Sequence, residues 1–378
     1  MDREQQAWEQ ELLDKIYQKL KVVTPQVKTL YAYSTKDGKY DNVTMPPYGW
    51  TCGFWGGLLW WMYRYGKDSI FSETAAAAAE RMDEGLSQFT PLGHDVGFQY
   101  LLTAIPDYNI NGRERSRVAA IHAATILAGR FNLSGRYIRA WNDGTGGIDP
   151  GANKAGYAII DCMMNLPLLY WASNETGDPR YKQIAMAHAD TVAEKFIRDD
   201  GSSCHIVIFD PETGEVKDKP RGQGYAEGSA WSRGQGWAIY GFAMSYGYTG
   251  KKLYLEKALK VAEYFIKEMR DRETPPLDFR QPAEPAYLDA SAGVIAACGM
   301  VELQKWVDEE VCEKLEKAIR ALLRGAYSNC DFSTEEQSIL QNCSVLYHTR
   351  SEHHIPLVYG DFYLAELLMK RRGEKPLY

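Results

Sequence analysis

The stretch Gly177-Asp178-Pro179-Arg180-Tyr181, running into Ala185, Ala189 and Ala193, decides how the chain is built. Its pattern returns as Gly250-Lys251-Lys252-Leu253-Tyr254 before Ala258 and Ala262, and again as Gly66-Lys67-Asp68 before Phe71 and the run Ala75 to Ala79. Each copy opens a polar helix with one apolar stripe, and further helices of this kind are expected near residues 5–20, 112–130 and 308–325. Between them lie six segments rich in Gly, Ala, Leu and aromatics and poor in charge, near residues 50–65, 95–104, 156–172, 233–247, 289–304 and 357–369. A helix that is apolar nearly all round has no face for water and belongs inside a ring of others. Strict alternation of six outer and six inner helices predicts an all-α fold, an (α/α)6 barrel of six helical hairpins, as a single domain over residues 1–378.

An open helical-repeat scaffold for protein partners is the competing topology. The long interruptions at residues 131–155 and 201–230, rich in Gly and polar groups, speak against it. There Cys204 to Phe209, followed by Asp210-Pro211-Glu212-Thr213-Gly214, reads as a short strand and turn. Loops of this length in a compact domain usually carry function.

The chain has 43 basic and 50 acidic residues, a net charge of −7, dispersed rather than blocked. That argues against a nucleic-acid surface and against an anchor on anionic membrane. Seven cysteines form no C-x-x-C pair and their number is odd, so neither a disulfide framework nor a zinc ribbon is suggested. Met1 to Leu20 is charged and amphipathic, without a signal-type apolar core, and no stretch has the length and apolarity of a membrane span. The expectation is a cytoplasmic protein with reduced thiols.

An acidic ligand would then need a local basic contact, and Trp231-Ser232-Arg233-Gly234-Gln235-Gly236-Trp237 offers one at the mouth of an inner helix. Indole faces stack on sugar rings, and a guanidinium fork grips a carboxylate through two parallel bonds. Trp and Arg near a helix start are more often packing and a surface ion pair. The neighbourhood favours a site: His205, Gln223 and Tyr225 lie upstream, and Gly222, Gly224 and Gly228 permit close backbone approach.

Polar exceptions gather at the starts of the inner segments: His94-Asp95, Asp161, Arg233, Asp289 and Asp361. Inner helices of such a barrel run parallel, so these positions converge on one rim. Asp289 and Asp361 read as N-caps. Asp161 resists that reading, because Ala158 to Ile160 look helical already and Met163, Met164, Leu166 and Leu168 continue an apolar surface. Buried there, its carboxyl is expected to rise in pKa and keep a proton, as a general acid must. If Asp95 faces it, one charge raises the pKa of the other and the two groups differ in protonation state. Each aspartate could instead cap a helix or pair with an arginine.

No P-loop, H-E-x-x-H or G-x-S-x-G occurs, and Gly222-Gln223-Gly224 and Gly144-Thr145-Gly146-Gly147 are poor dinucleotide fingerprints. No metal and no cofactor is expected. Paired carboxylates in an aromatic cleft point to glycoside chemistry.

At these residues the sequence resembles the unsaturated glucuronyl hydrolases, glycoside hydrolase family 88, along nearly its whole length. The matching stretches are Trp50-Thr51-Cys52-Gly53-Phe54-Trp55, His94-Asp95-Val96-Gly97-Phe98, Ile160-Asp161-Cys162 continuing to Trp171, Gly228-Ser229-Ala230-Trp231-Ser232-Arg233-Gly234-Gln235, and Asp289-Ala290-Ser291-Ala292. The sister family acting on unsaturated rhamnogalacturonan shares the toroid but is similar to W-A-R-G-N-G-W at the arginine, so Gln235 favours the glucuronyl group. The resemblance implies release of a 4,5-unsaturated uronic acid from the non-reducing end of lyase-generated oligosaccharides, by hydration of the vinyl ether. Glycosaminoglycan-type disaccharides come first and gellan- or xanthan-type fragments next. It implies Asp161 as catalytic acid/base and Asp95 as the second essential carboxylate. His205 and Gln223 are implied contacts to the uronate and the water, Arg233 and Trp237 line its pocket, and Trp50, His94, Trp141 and Trp231 form the remaining wall. A non-catalytic acidic-sugar binding protein stays the alternative of another class.

Overall fold

The computed structural model describes residues 3–40, 46–145 and 151–378, so Gly146 and Gly147 of the glycine-rich stretch lie outside the described residues. In chain order the first half runs α1 (Arg3–Val27), β1 (Thr35–Lys36), β2 (Lys39–Tyr40), α2 (Phe54–Gly66), α3 (Ser69–Arg81), α4 (Asp83–Gln88), α5 (Val96–Leu102), α6 (Ala104–Asn111), α7 (Glu114–Gly129), β3 (Phe131–Asn132), β4 (Tyr137–Ile138) and β5 (Tyr157–Ile159). A 3-10 turn over Ile160–Met164 leads into α8 (Leu166–Thr176), α9 (Pro179–Lys195), β6 (Ile206–Phe209) and β7 (Val216–Asp218). The chain continues with α10 (Ser232–Thr249), α11 (Lys252–Met269), α12 (Ala290–Leu303), α13 (Glu309–Ser328), a 3-10 turn over Arg350–Glu352, and α14 (Val358–Arg371).

The repeated motif is the tight turn from an inner to an outer helix. Gly177 ends α8 in the left-handed conformation at φ 71°, and Asp178 caps α9 by accepting from the Arg180 N–H at 2.9 Å, with Pro179 as the first helical residue. Gly250 ends α10 in the same way at φ 67°. In the third copy Lys67 takes the left-handed position and Asp68 caps α3 through the Ile70 N–H at 3.3 Å. The other end of each hairpin carries the long connections, among them the three-stranded sheet β5-β6-β7.

The inner helices α2, α5, α8, α10, α12 and α14 pack in a closed circuit, α14 returning against α2. Every residue of α12 is buried, as its small and apolar sequence requires. The outer α13 buries only Leu315, Ile319, Leu322, Leu323, Gly325 and Ala326, a stripe at three- and four-residue spacing. The architecture is an (α/α)6 barrel.

Two inner segments depart from expectation. Residues 156–172 are not one helix: Tyr157–Ile159 pairs antiparallel with Ile206–Phe209, and a 3-10 turn carries Asp161 before α8 begins. β-Branched Ile159 finds a strand partner in Ile206, and Pro167, which has no N–H to donate, stands in the first turn of the new helix. Residues 95–104 break at Thr103, where α6 begins as an extra short helix carrying Pro106 in its first turn.

The capping expectation holds for Asp289, which accepts from the Ser291 N–H at 3.1 Å, but not for Asp361. Asp361 sits one turn inside α14 and accepts from the Tyr40 hydroxyl at 2.8 Å and from the Ile339 and Leu340 N–H groups at 2.9 and 2.7 Å. It ties distant loops to the barrel rather than starting a helix.

Gly97 sets how closely α5 approaches the 3-10 turn, since a Cβ there would lie 2.4 Å from Asn165 Oδ1 and 2.5 Å from Asn165 Cα. Gly97→Ala is expected to cost about 1–3 kcal/mol through overpacking, read as a lower urea midpoint. Gly129→Ala, where a Cβ meets nothing within 4 Å, should stay level or gain up to about 1 kcal/mol by helix propensity.

Candidate active site

Asp95 occupies the N-cap position of α5 without capping it, which leaves its carboxyl to face the funnel. Asp161 is brought opposite by two local devices. Asn165 accepts from the Phe98 N–H through Oδ1 at 2.8 Å and donates from Nδ2 to the Asp161 carbonyl at 3.3 Å, which staples the 3-10 turn to α5. On the other side the Ile159–Ile206 register and the bond from Ile160 N–H to the His205 carbonyl at 3.0 Å set His205 beside Asp161.

The His205 ring has a defined tautomer. Its Nδ1 accepts from the Gln223 N–H at 3.0 Å, so the proton is on Nε2, which lies 3.4 Å from Asp161 Oδ2. Gly222 makes this approach possible: at φ +60° a Cβ would fall 2.0 Å from Nδ1.

A cavity of about 250 Å³ opens between these groups. Asp95, Asp161, His205, Gln223 and Arg233 supply its polar wall, Trp50 and Trp141 its aromatic wall, and Ile159, Ile206 and Leu346 its aliphatic patches. Asp161 Oδ2 and His205 Nε2 are buried and make no hydrogen bond among the described residues. Buried polar atoms are ordinarily satisfied, so orphans clustered in one cavity mark a ligand site.

Burial pushes the Asp95 carboxyl up and the negative charge of Asp161 pushes it further, to about 7, against opposing pulls from Arg130 and from an Asn165 hydrogen bond. Burial pushes Asp161 up as well, but the contact from His205 and the positive charge of Arg233 outweigh it and hold this carboxyl below its ordinary value. The expected split between the two carboxyls is therefore present with the roles exchanged: the raised carboxyl is Asp95, not Asp161. The reason is the balance of partners: the His205 contact, with His94 and Arg233, outweighs burial at Asp161, whereas Arg130 and Asn165 do not outweigh burial and the Asp161 charge at Asp95. The His94 ring stands behind Asp95, Nε2 3.3 Å away. Burial drives His94 down to about 3.

Three expected wall residues stand behind the cavity rather than on it. His94 is fully buried and backs Asp95. Trp231 is 2% exposed, with the His205 ring 4.5 Å away and the Arg233 guanidinium 4.4 Å over its ring, which leaves no indole face for a sugar. Trp237 is fully buried between Phe98 at 5.3 Å and Tyr363 at 5.4 Å. Their pattern in the sequence belongs to packing.

Arg233 lines the cavity, but its fork is already engaged. Nη1 donates to Asp289 Oδ2 at 2.5 Å and to the Ser344 carbonyl at 2.6 Å, and Nη2 donates to the Val345 carbonyl at 2.7 Å. The bidentate grip on a ligand carboxylate is thus replaced by a grip on the protein itself. Gln235 is likewise occupied by the protein, accepting from the Ser203 N–H at 2.8 Å and donating to the Ser203 and Trp231 carbonyls, each at 3.2 Å, which anchors the chain entering His205.

Sequence reasoning missed Leu346, Asn165, Arg130 and Tyr359, whose ring lies 4.8 Å from Trp50. Asn165 and Tyr359 carried a signal as polar groups in apolar inner segments. Leu346 carried none, because an apolar residue in a loop names no partner.

The Glycosyl Hydrolase Family 88 profile matches residues 24–367. An unsaturated glucuronyl hydrolase from Bacillus sp. (strain GL1) is 36% identical over 343 residues, covering 88% of this chain and 89% of that protein. An unsaturated chondroitin disaccharide hydrolase from Streptococcus pneumoniae (strain ATCC BAA-255 / R6) is 32% identical over 349 residues, covering 90% and 86%. Among solved structures, an unsaturated glucuronyl hydrolase from Streptococcus agalactiae superposes with a TM-score of 0.90 at 28% identity, over 99% of this chain and 94% of that one. With the paired carboxyls and their aromatic cavity inside a closed ring of hairpins, these likenesses establish that the chain is a glycoside hydrolase belonging to Glycosyl Hydrolase Family 88.

Proposed function

We propose that this chain, as one catalytic domain over residues 1–378, removes a 4,5-unsaturated uronic acid from the non-reducing end of oligosaccharides left by polysaccharide lyases, with glycosaminoglycan-type disaccharides as first substrates. The observation that carries the reading is the Asp95–Asp161 pair, two partly buried carboxyls on one aromatic cavity, the first shifted up and the second down. The names of the relatives, glucuronyl and chondroitin disaccharide hydrolases, support the substrate class.

In this reading the pair holds a single proton. It rests on Asp95 before substrate arrives; the incoming uronate adds negative charge and shuts out water, which raises the proton affinity of Asp161 and moves the proton there. Asp161 protonates C4 of the C4=C5 bond, and positive charge develops at C5, shared with the ring oxygen. Water then adds to C5 and returns a proton to Asp161. The resulting hemiketal opens to a C5 ketone, and the hemiacetal left at C1 releases the next sugar as an alcohol, so one water is consumed. Trp50 and Trp141 bound the ring, while His205 Nε2–H and the Gln223 amide face the carboxylate and the water. The reducing cytoplasm fits seven unpaired cysteines, and no helix among the described residues is long and apolar enough to cross a membrane.

Loss of the ultraviolet absorbance of the C4=C5 bond, followed over unsaturated and saturated disaccharides, tests the reaction. Cleavage of saturated glycosides alone, or silence on every lyase product, would falsify it. Asp161→Asn should lower kcat by roughly 10²–10⁴-fold while the disaccharide still binds; near-normal turnover removes Asp161 from the chemistry. Because the shared proton leaves Asp95 at about 7, kcat/KM should fall about tenfold per pH unit above that value. Carboxyl NMR of Asp161→Asn should show Asp95 titrating lower than in the wild type, since the neighbouring charge that raised it is gone.

A further inference from the structure

Asp289 does more than a helix cap requires. Its Oδ1 accepts from the Ser291 N–H at 3.1 Å, the Ser291 hydroxyl at 2.5 Å and the Ser344 N–H at 3.3 Å, while Oδ2 takes Arg233 Nη1 at 2.5 Å. The side chains of this pair are 0% and 2% exposed, so each charge depends on the other. Between them they hold Ser344 at both its N–H and its carbonyl, and Val345 at its carbonyl. The next residue is Leu346, a wall of the cavity, and after it the Tyr347 N–H donates to the Gln223 carbonyl at 2.9 Å.

We propose that Asp289 is a positioning residue for the active-site wall: by pairing with Arg233 at the start of α12 it clamps the Ser344–Val345 strap that carries Leu346 into the cavity wall. The role rests on the reading of this cavity as the substrate site. A cap alone does not need a charge, because Asn and Ser cap a helix about as well as Asp. A buried guanidinium does need one. The groups around it are Asp289 from the start of α12, Asp161 from its 3-10 turn, Glu352 from the turn over residues 350–352, Tyr33, and Tyr359 of α14. With Asp289 neutral, the countercharges left to Arg233 are Asp161 and Glu352, and turning toward either releases the two strap carbonyls.

The test compares wild type with Asp289→Asn and Asp289→Ser, both of which keep the cap. KM for an unsaturated disaccharide should rise about tenfold with kcat within about threefold, the signature of lost ground-state fit. Hydrogen exchange should quicken at the Val345 and Tyr347 amides while α12 stays protected. Unchanged KM or unchanged strap exchange overturns the role, and so does faster exchange spread evenly through α12, which is what loss of a cap alone would give. Should the Asp289 variants not fold, Arg233→Lys keeps a charge for Asp289 but lacks a fork for both carbonyls; it should show the same faster strap exchange, and equal exchange would overturn the proposal. A wild type inactive on every unsaturated sugar would sink the reaction proposed above, while the exchange comparison would still decide the clamp.

Discussion

A helix without a wetted face must be enclosed by protein on every side, and six such helices in one chain leave a closed ring as the arrangement that encloses them all. The fully buried α12 is the clearest case, and the outer helices, with one stripe each, are the cover. Closure fixes the rest. Inner helices joined by tight turns at one end point their first residues toward the other, where the long connections must lie. Polar side chains at those helix starts then share one funnel.

What is buried there is an electrostatic constraint rather than a shape alone. Two carboxyls facing one confined cavity hold one negative charge between them more readily than two, and the surroundings choose which group is raised. The choice here is made by burial and the Asp161 charge at Asp95, and by the His205 contact and the Arg233 cation near Asp161. The backbone serves the same end: Gly97 and Gly222 are absences of side chain that bring the turn against α5 and the loop against His205.

Much of this was legible in the sequence because helical period and the Gly-Asp-Pro turn are local signals. The alternation of hairpins and the convergence of Asp95 and Asp161 could be read from them, the strand near Cys204 to Phe209 from its own apolar run and turn, and His205 and Gln223 joined the pocket through the family resemblance. What escaped depended on distant partners. Ile159 suits helix or strand alike until Ile206 pairs with it. Arg233 looks free to bind a ligand until Asp289 and two carbonyls from residues 344 and 345 take up its fork. Trp231 and Trp237 advertise sugar stacking by residue type alone, and only packing shows their faces occupied. Asp361 is adjacent to a helix start yet answers to Tyr40, more than three hundred residues away.

The common direction of the inner helices has an electrical result. Each contributes the partial positive charge of its first turn to the same small region, while the opposed ends of the outer helices lie at the periphery. A chain with a net charge of −7 thereby sets partial positive charge around its paired carboxyls. With its most buried arginine bonded to the protein's own carbonyls, these helix starts add to His205 and Gln223 in drawing an acidic guest into the cavity.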